Sequence, residues 1–154
     1  MSVEPIAPYL EPLRKAVSVG QPPAEAFRIF TEEIARWWPL AAFSVSEARA
    51  ASCRIEPRVG GEVYEVRDDG ERFAWGRVLS WDPPRRFAMT WHPGADPETA
   101  QEVELRFEPE GSGTRVELEH RGWQQAGALA RELREIYDGG WESVLRKSYL
   151  EAAR

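Results

Sequence analysis

Cysteine, histidine, lysine and long apolar runs are all scarce in this chain, and each scarcity narrows what the protein can do. The single cysteine, Cys53, leaves no internal disulfide to form, which points to a reducing cytoplasm. The two histidines, His92 and His120, come with no HExxH or paired-cysteine spacing, so no metal and no other cofactor is expected. No window approaches the roughly twenty apolar residues that a membrane span needs. The N-terminus carries proline and acid where an export signal would have a basic start and an apolar block, so an unexported protein is expected. Positive charge is also short: the net charge of −6 argues against nucleic acid, whose phosphates call for a basic face. Lysine stands only at Lys15 and Lys147, the remaining cations being arginine; a GC-rich genome is the favoured reading of that bias, ahead of a use of planar guanidinium groups for pairing and stacking.

What the chain has in plenty is aromatic surface. Its 154 residues suffice for one domain with a sizeable core, and seven tryptophans are more than packing a core of that size ordinarily demands. The densest stretch is Phe73 to His92, where Trp75, Trp81 and Trp91 fall in two runs joined by Pro83-Pro84.

Residues 1–11 carry prolines and no period, and read as a loose arm ahead of a domain over residues 12–154. LRKAVSVG, from Leu13, predicts a first strand. After Pro22-Pro23, the positions Ala26, Phe27, Phe30, Ile34 and Trp37 recur at helical spacing, predicting one amphipathic helix that ends before Pro39. Six strand-like runs follow: SCRIEP, EVYEVR, RFAWGRVLSWD, RRFAMTWH, EVELRFEP and TRVELEHRGW. Asp69-Gly70 between two of them is a hairpin signal. In EVELRFEP, Val103, Leu105 and Phe107 alternate with charged neighbours, as in a half-buried antiparallel strand; Val116, Leu118 and His120 do the same in the last run, whose inward face ends in a histidine. From Gln124 to the C-terminus, Leu129, Leu133, Ile136, Tyr137, Trp141, Val144, Leu145 and Tyr149 predict a long amphipathic helix. Gly139-Gly140 inside it implies a kink, a close backbone approach or room for something else.

Counting across the Pro83-Pro84 turn sets Gly76 opposite Trp91, Val78 opposite Met89 and Ser80 opposite Phe87. That uncharged face is expected inside, with Gly76 making room for the Trp91 ring. Trp75, Arg77, Leu79, Trp81, Arg86 and His92 then face out. Counting across Asp69-Gly70 instead groups Trp75 with Tyr64, Val66 and Phe73, so the two counts conflict unless a bulge intervenes. Trp91 is expected inside and Trp81 outside, with Trp75 open.

The combination AFRIFTEEIARWWP, GG-x-V-Y, WGRVLSWDPPRRFAMTW, TRVELEHRGW and GGWESVL resembles the family of homologues of the activator of the heat-shock-protein-90 ATPase, within the START-like helix-grip (SRPBCC) superfamily. The resemblance runs from about Leu13 to about Ala152. It implies an α+β fold in which a curved antiparallel sheet of about seven strands wraps a long C-terminal helix, with a short helical segment after strand one and a hydrophobic cavity between sheet and helix. The eukaryotic activator has a separate N-terminal domain, to which nothing here corresponds.

Trp38, Phe43, Tyr64, Trp75, Met89, Trp91, His120, Trp123, Tyr137 and Trp141 come from elements that such a fold gathers around one interior. They predict a pocket for a small hydrophobic or aromatic ligand, bound without conversion. The alternative is a cyclase- or dehydratase-like enzyme in which His120 and a tyrosine, Tyr137 or Tyr64, move protons. A second alternative is a regulator that contacts a chaperone, or a homodimer, through its surface. Cys53, in a strand without a basic neighbour, is expected to be packing only.

Overall fold

The computed structural model describes residues 9–154. Seven antiparallel strands form one sheet in the order β1-β7-β6-β5-β4-β3-β2: Leu13–Val19 (β1), Ala50–Ile55 (β2), Glu62–Arg67 (β3), Arg72–Asp82 (β4), Arg86–Trp91 (β5), Gln101–Glu110 (β6) and Gly113–Arg121 (β7). The sheet curls into a half-barrel around the C-terminal helix, the α+β helix-grip arrangement. Residues 1–8 of the expected arm lie outside the described residues. Just after them, the Glu11 carbonyl accepts a 2.8 Å hydrogen bond from Arg134 on that helix.

Period-two patterning decides which face of the sheet is inside. Val103, Leu105 and Phe107 on β6 pair with His120, Leu118 and Val116 on β7, and all six are at most 1% exposed. Their neighbours make a charged outer face, where Glu104 holds Arg106 and Arg121 at 2.8 Å.

Two bulges in β4 resolve the conflict between the two hairpins, and two expectations are corrected: Trp81 turns inward, and Trp75 does not share a face with Tyr64 and Val66, which pair with Ala74 and Arg72. Against β3, Val63 pairs with Gly76 and Tyr64 with Ala74, so Trp75 is the additional residue and turns inward, 1% exposed. Against β5, Val78 pairs with Met89 as expected, but Ser80 pairs with Ala88 rather than Phe87, leaving Leu79 as the additional residue. That second slip swings Trp81 inward: it stands opposite Phe87 and meets the Phe27 ring edge-on at 5.2 Å, where an outward ring was expected. Arg77, Leu79 and Arg86 do face out. Gly76 is needed for a different reason from the one expected. A Cβ there would lie 1.8 Å from the Thr90 carbonyl oxygen, so its absence admits the backbone of β5 rather than the Trp91 ring.

The first helix is two pieces, Pro23–Thr31 (α1) and Ile34–Trp37 (α2), not the single run expected. Adjacent residues on one helix point about 100° apart. The helix is broken at Glu32 and Glu33 and the chain turns extended at Trp38 (φ −61°, ψ 129°), with Trp37 and Trp38 both 7% exposed. Phe27 and Phe30 of α1 enter an edge-to-face cluster with Phe87, Phe107 and Tyr149, filling the middle of the space between sheet and helix.

The C-terminal helix starts later than its periodicity suggests. Residues Trp123–Leu129 form tight turns broken at Gly127 (φ 64°, ψ −134°), and the α-helix runs Ala130–Ser143 (α3). A π-helical turn over Val144–Tyr149 and a last α turn over Leu150–Ala152 (α4) continue it. The helix passes Gly139-Gly140 unbroken. Neither a kink nor a close backbone approach explains the pair: a Cβ at Gly140 would meet the Phe43 ring at an ordinary contact distance of 3.4 Å, and Gly139 faces open space.

Candidate functional site

Of several clefts of similar volume, one is distinguished by its aromatic lining: about 390 Å³, it lies between the first half of the C-terminal helix, the end of β5 and the loop after α2. Sites for small ligands begin at roughly this size. Tyr137 and Trp141 reach it from successive turns of α3, Trp91 from the end of β5, and Trp38 and Phe43 from the loop. The rings pack as a continuous set: Trp91 lies 5.3 Å from Trp141 and 6.0 Å from Trp38, and Tyr137 stacks on Trp141 at 6.3 Å. Val45 and Ile136, 37% and 68% exposed, sit at the mouth. The site is therefore an open cleft at one end of the helix rather than a cavity sealed beneath it, because the aromatic cluster around Phe30 and Tyr149 fills the remainder.

Of the residues expected to line a pocket, Trp38, Phe43, Trp91, Tyr137 and Trp141 are brought together there, whereas Tyr64, Trp75, Met89, His120 and Trp123 are not in its wall. Tyr64 lies apart, with the Arg72 guanidinium 4.4 Å over its ring. Met89 is a core residue. Trp75 backs the pocket, 5.3 Å from Trp38 and 5.6 Å from Trp91.

His120 is fully buried behind Trp141. The Trp141 indole can only donate, so its 3.0 Å contact makes His120 Nδ1 an acceptor and puts the ring proton on Nε2, which donates to Gln101 Oε1 at 3.2 Å. Trp123 stacks on the imidazole at 4.0 Å. Both nitrogens are occupied, and burial pulls the imidazole pKa from 6.5 down to about 3. His120 is thus a neutral support that orients Trp141. The candidate acid or base reading for it fails on access and on occupancy.

The linkage has a definite sign. The unfolded chain binds a proton at His120 below about pH 6.5, while the folded chain refuses it until about pH 3, so this group removes stability as pH falls through that window. His120→Gln keeps polar partners but cannot titrate. The stability lead of the native protein over this variant should shrink by roughly 2 kcal/mol between pH 6.5 and 4.5, measured by urea unfolding. An unchanged lead would show that the histidine is not held neutral.

A second buried support escaped sequence reasoning. Glu65 on β3 is fully buried, and its carboxylate accepts from Trp75 Nε1 (2.7 Å) and from the backbone N–H groups of Val45 (2.6 Å) and Ser46 (2.9 Å). It ties the pocket loop to the sheet. The signal was there: Glu65 has the same parity as Val63 in EVYEVR, so whichever face buries Val63 buries Glu65. The loop is closed from the other side by Trp38 Nε1, which donates to the Phe43 carbonyl at 2.8 Å. Leu133, Gly140 and Val144, read from sequence only as parts of the C-terminal helix, and Ala42, Ser44, Pro93 and Gly94, which carried no sequence signal, complete the wall.

Polar groups in the wall are few. Burial pushes the Tyr137 phenol up, partly offset by the Trp91 N–H beside it. That N–H is buried without a partner in hydrogen-bond geometry. Cys53 is buried and its thiol is pushed up to about 12 by burial and then by the Glu65 charge, which leaves it unreactive. Among the described residues no cluster of three or more metal-ligating side chains occurs, and no helix is long and apolar enough to cross a membrane.

The sequence model of one family, described as Activator of Hsp90 ATPase homolog 1-like protein, matches residues 21–151. The chain belongs to that family. The Activator of Hsp90 ATPase homolog 1-like match takes in every element that builds the cleft. A solved structure, the anthrahydroquino-gamma-pyrone synthase Txn09 in complex with SUM, is 38% identical, covering 84% of this chain and 88% of its own, with a TM-score of 0.58. Two others share the fold at low identity. The protein BH1534 of Bacillus halodurans is 17% identical over 95% of this chain and 99% of its own, with a TM-score of 0.68. The Aha1 dimer of Colwellia psychrerythraea is 14% identical over 89% and 92%, with a TM-score of 0.62. A comparison with curated proteins gives no match.

Proposed function

We propose that the cleft between α3, β5 and the loop after α2 binds a small aromatic or hydrophobic molecule and that this binding is the function of the protein. The observation that carries the reading is the ring set of Trp38, Phe43, Trp91, Tyr137 and Trp141 around about 390 Å³ of open volume. Five rings from three elements, held by Glu65 and His120 behind them, form a rigid wall that loses little entropy on binding, and flat ring faces favour flat ligands.

The test is thermal unfolding of the protein with a panel of planar aromatics, fatty acids and sterols. A ligand at a hundredfold its Kd adds about 2.7 kcal/mol, or roughly 5–10 °C in a chain of this size. The aromatics are expected to give this shift, and Gly140→Leu to abolish it. Gly140 lines the cleft, and a longer side chain there would occupy it beside Phe43, at little cost in a helix that otherwise gains from losing a glycine. A flat response to the whole panel, or an equal shift in Gly140→Leu, would sink the proposal.

A second reading, that the cleft converts its ligand as a cyclase-like enzyme, is favoured by the 38% identity to Txn09. Both His120 nitrogens are engaged and Tyr137 lines the cleft, which supports Tyr137 as the proton donor on this reading. Incubating the protein with the ligands that stabilise it, with mass-spectrometric detection, separates the readings: a product that disappears in Tyr137→Phe supports conversion.

A further inference from the structure

The indole N–H of Trp91 is a problem the fold leaves unsolved. Trp91 is 3% exposed and lines the cleft, and its Nε1 is buried with no hydrogen-bond partner. A buried donor without an acceptor is expensive, and most native structures avoid it. Three neighbouring tryptophans, two in the wall and one behind it, meet the demand within the chain: Trp38 donates to the Phe43 carbonyl, Trp141 to His120 and Trp75 to Glu65. Two indoles are left with the donor unspent, Trp91 and, behind the cleft, Trp123; of these only Trp91 lines the cleft, with Tyr137 beside it.

The Tyr137 oxygen is the acceptor beside this N–H, and the two are not in hydrogen-bond geometry, so the corner is completed by whatever draws the Tyr137 hydroxyl into line. A phenol can accept through its oxygen while donating its proton onward. An N–H directed at that oxygen makes the O–H a better donor, since hydrogen bonds in a chain polarise one another. The rest of the wall is rings and aliphatic groups, which favour a flat hydrocarbon frame.

Resting on the ligand-binding reading above, we infer that the Trp91–Tyr137 pair recognises a ring carbonyl: the ligand is a planar fused-ring compound whose carbonyl oxygen accepts the Tyr137 hydroxyl proton while Trp91 Nε1–H donates to the Tyr137 oxygen. The pair converts a stacking surface into a site that distinguishes oxygenated polycycles from bare hydrocarbons. It also fixes orientation, because one edge of a flat ligand must face Tyr137.

Xanthone and xanthene test this directly. They share one tricyclic frame and differ in carrying a carbonyl or a methylene at the central ring. Titrated into the full chain and followed by tryptophan fluorescence, xanthone should bind about tenfold more tightly than xanthene. Tyr137→Phe and Trp91→Phe should each bring xanthone down to the xanthene level and leave xanthene within about twofold. Tyr137 is partly exposed, so its variant should fold even if Trp91→Phe does not. Equal binding of the two compounds by the native protein, or a xanthone preference that survives in Tyr137→Phe, overturns the inference and leaves the ligand-binding reading standing. Failure of both compounds to bind overturns the two together.

Discussion

Gly76→Ala is expected to be the most damaging single-methyl change in this protein, costing about 3 kcal/mol or more and yielding little soluble product. The added Cβ would stand 1.8 Å from the Thr90 carbonyl oxygen and 2.6 Å from the carbonyl carbon. Neither atom belongs to a side chain that can rotate away, so relief requires β4 and β5 to separate. Overpacking that moves backbone exceeds the usual cost of an additional core methylene. The separation would occur where β4 carries its Trp75 bulge and where His92 N–H donates to the Trp75 carbonyl at 2.7 Å, so ladder bonds would break together. Gly139→Ala is the control. Nothing lies within 4 Å of that position, and alanine in a helix is expected to add about 0.5–1 kcal/mol. Urea midpoints of the two variants should move in opposite directions, and a Gly76→Ala protein within about 1 kcal/mol of native would show that the strands have more freedom than their spacing implies.

Glu65→Ala is the second large effect, and it links stability to the cleft. The variant removes one acceptor group from three donors, the Trp75 indole and the Val45 and Ser46 amides. Each donor left buried and unpaired costs about 1–3 kcal/mol, less where water can enter, so a total of roughly 3–5 kcal/mol is expected. The loss should be local in character. The amides of Val45 and Ser46 should exchange with solvent faster than those of β6 and β7, and affinity for any cleft ligand should fall with the loosened loop. Unchanged exchange at these two amides would mean that the loop is held by other contacts. Glu65→Gln is a milder test, since one oxygen still accepts while the amide N–H groups confront donors.

The sheet and its inward face were readable from sequence because the physics is local. Val103, Leu105 and Phe107 alternate with charge, and any sheet that buries one buries all. Apolar residues three and four apart from Leu129 to Tyr149 likewise gave the helix that closes the fold. The two bulges in β4 were readable only as a contradiction: parity counted from Asp69-Gly70 and from Pro83-Pro84 disagreed, which required at least one slip but could not place it. Trp81 consequently went to the wrong side, since a slip at Leu79 reverses every position after it. The site was half legible. Ring-bearing residues pointed to a wall, but which rings face the opening depends on how far Phe30, Phe107 and Tyr149 fill the interior, a volume question that no spacing answers. His120 was rightly placed on the inner face, yet its role turned on Trp141 and Gln101, brought to it by tertiary packing alone.

The π-helical turn over Val144–Tyr149 has a consequence for how this scaffold could be re-engineered. One additional residue in a turn rotates the downstream part of a helix relative to the upstream part. The C-terminal helix is thereby divided into a forward part, whose Leu133, Ile136, Tyr137, Gly140 and Trp141 meet the cleft, and a rear part, whose Leu145 and Tyr149 anchor it to the core, with the Tyr149 hydroxyl donating to the Ala26 carbonyl at 2.8 Å. Because the two parts answer to different partners, residues 133–140 can be exchanged as a cassette, grafted with new side chains to suit another guest, while the anchor keeps the helix in its berth.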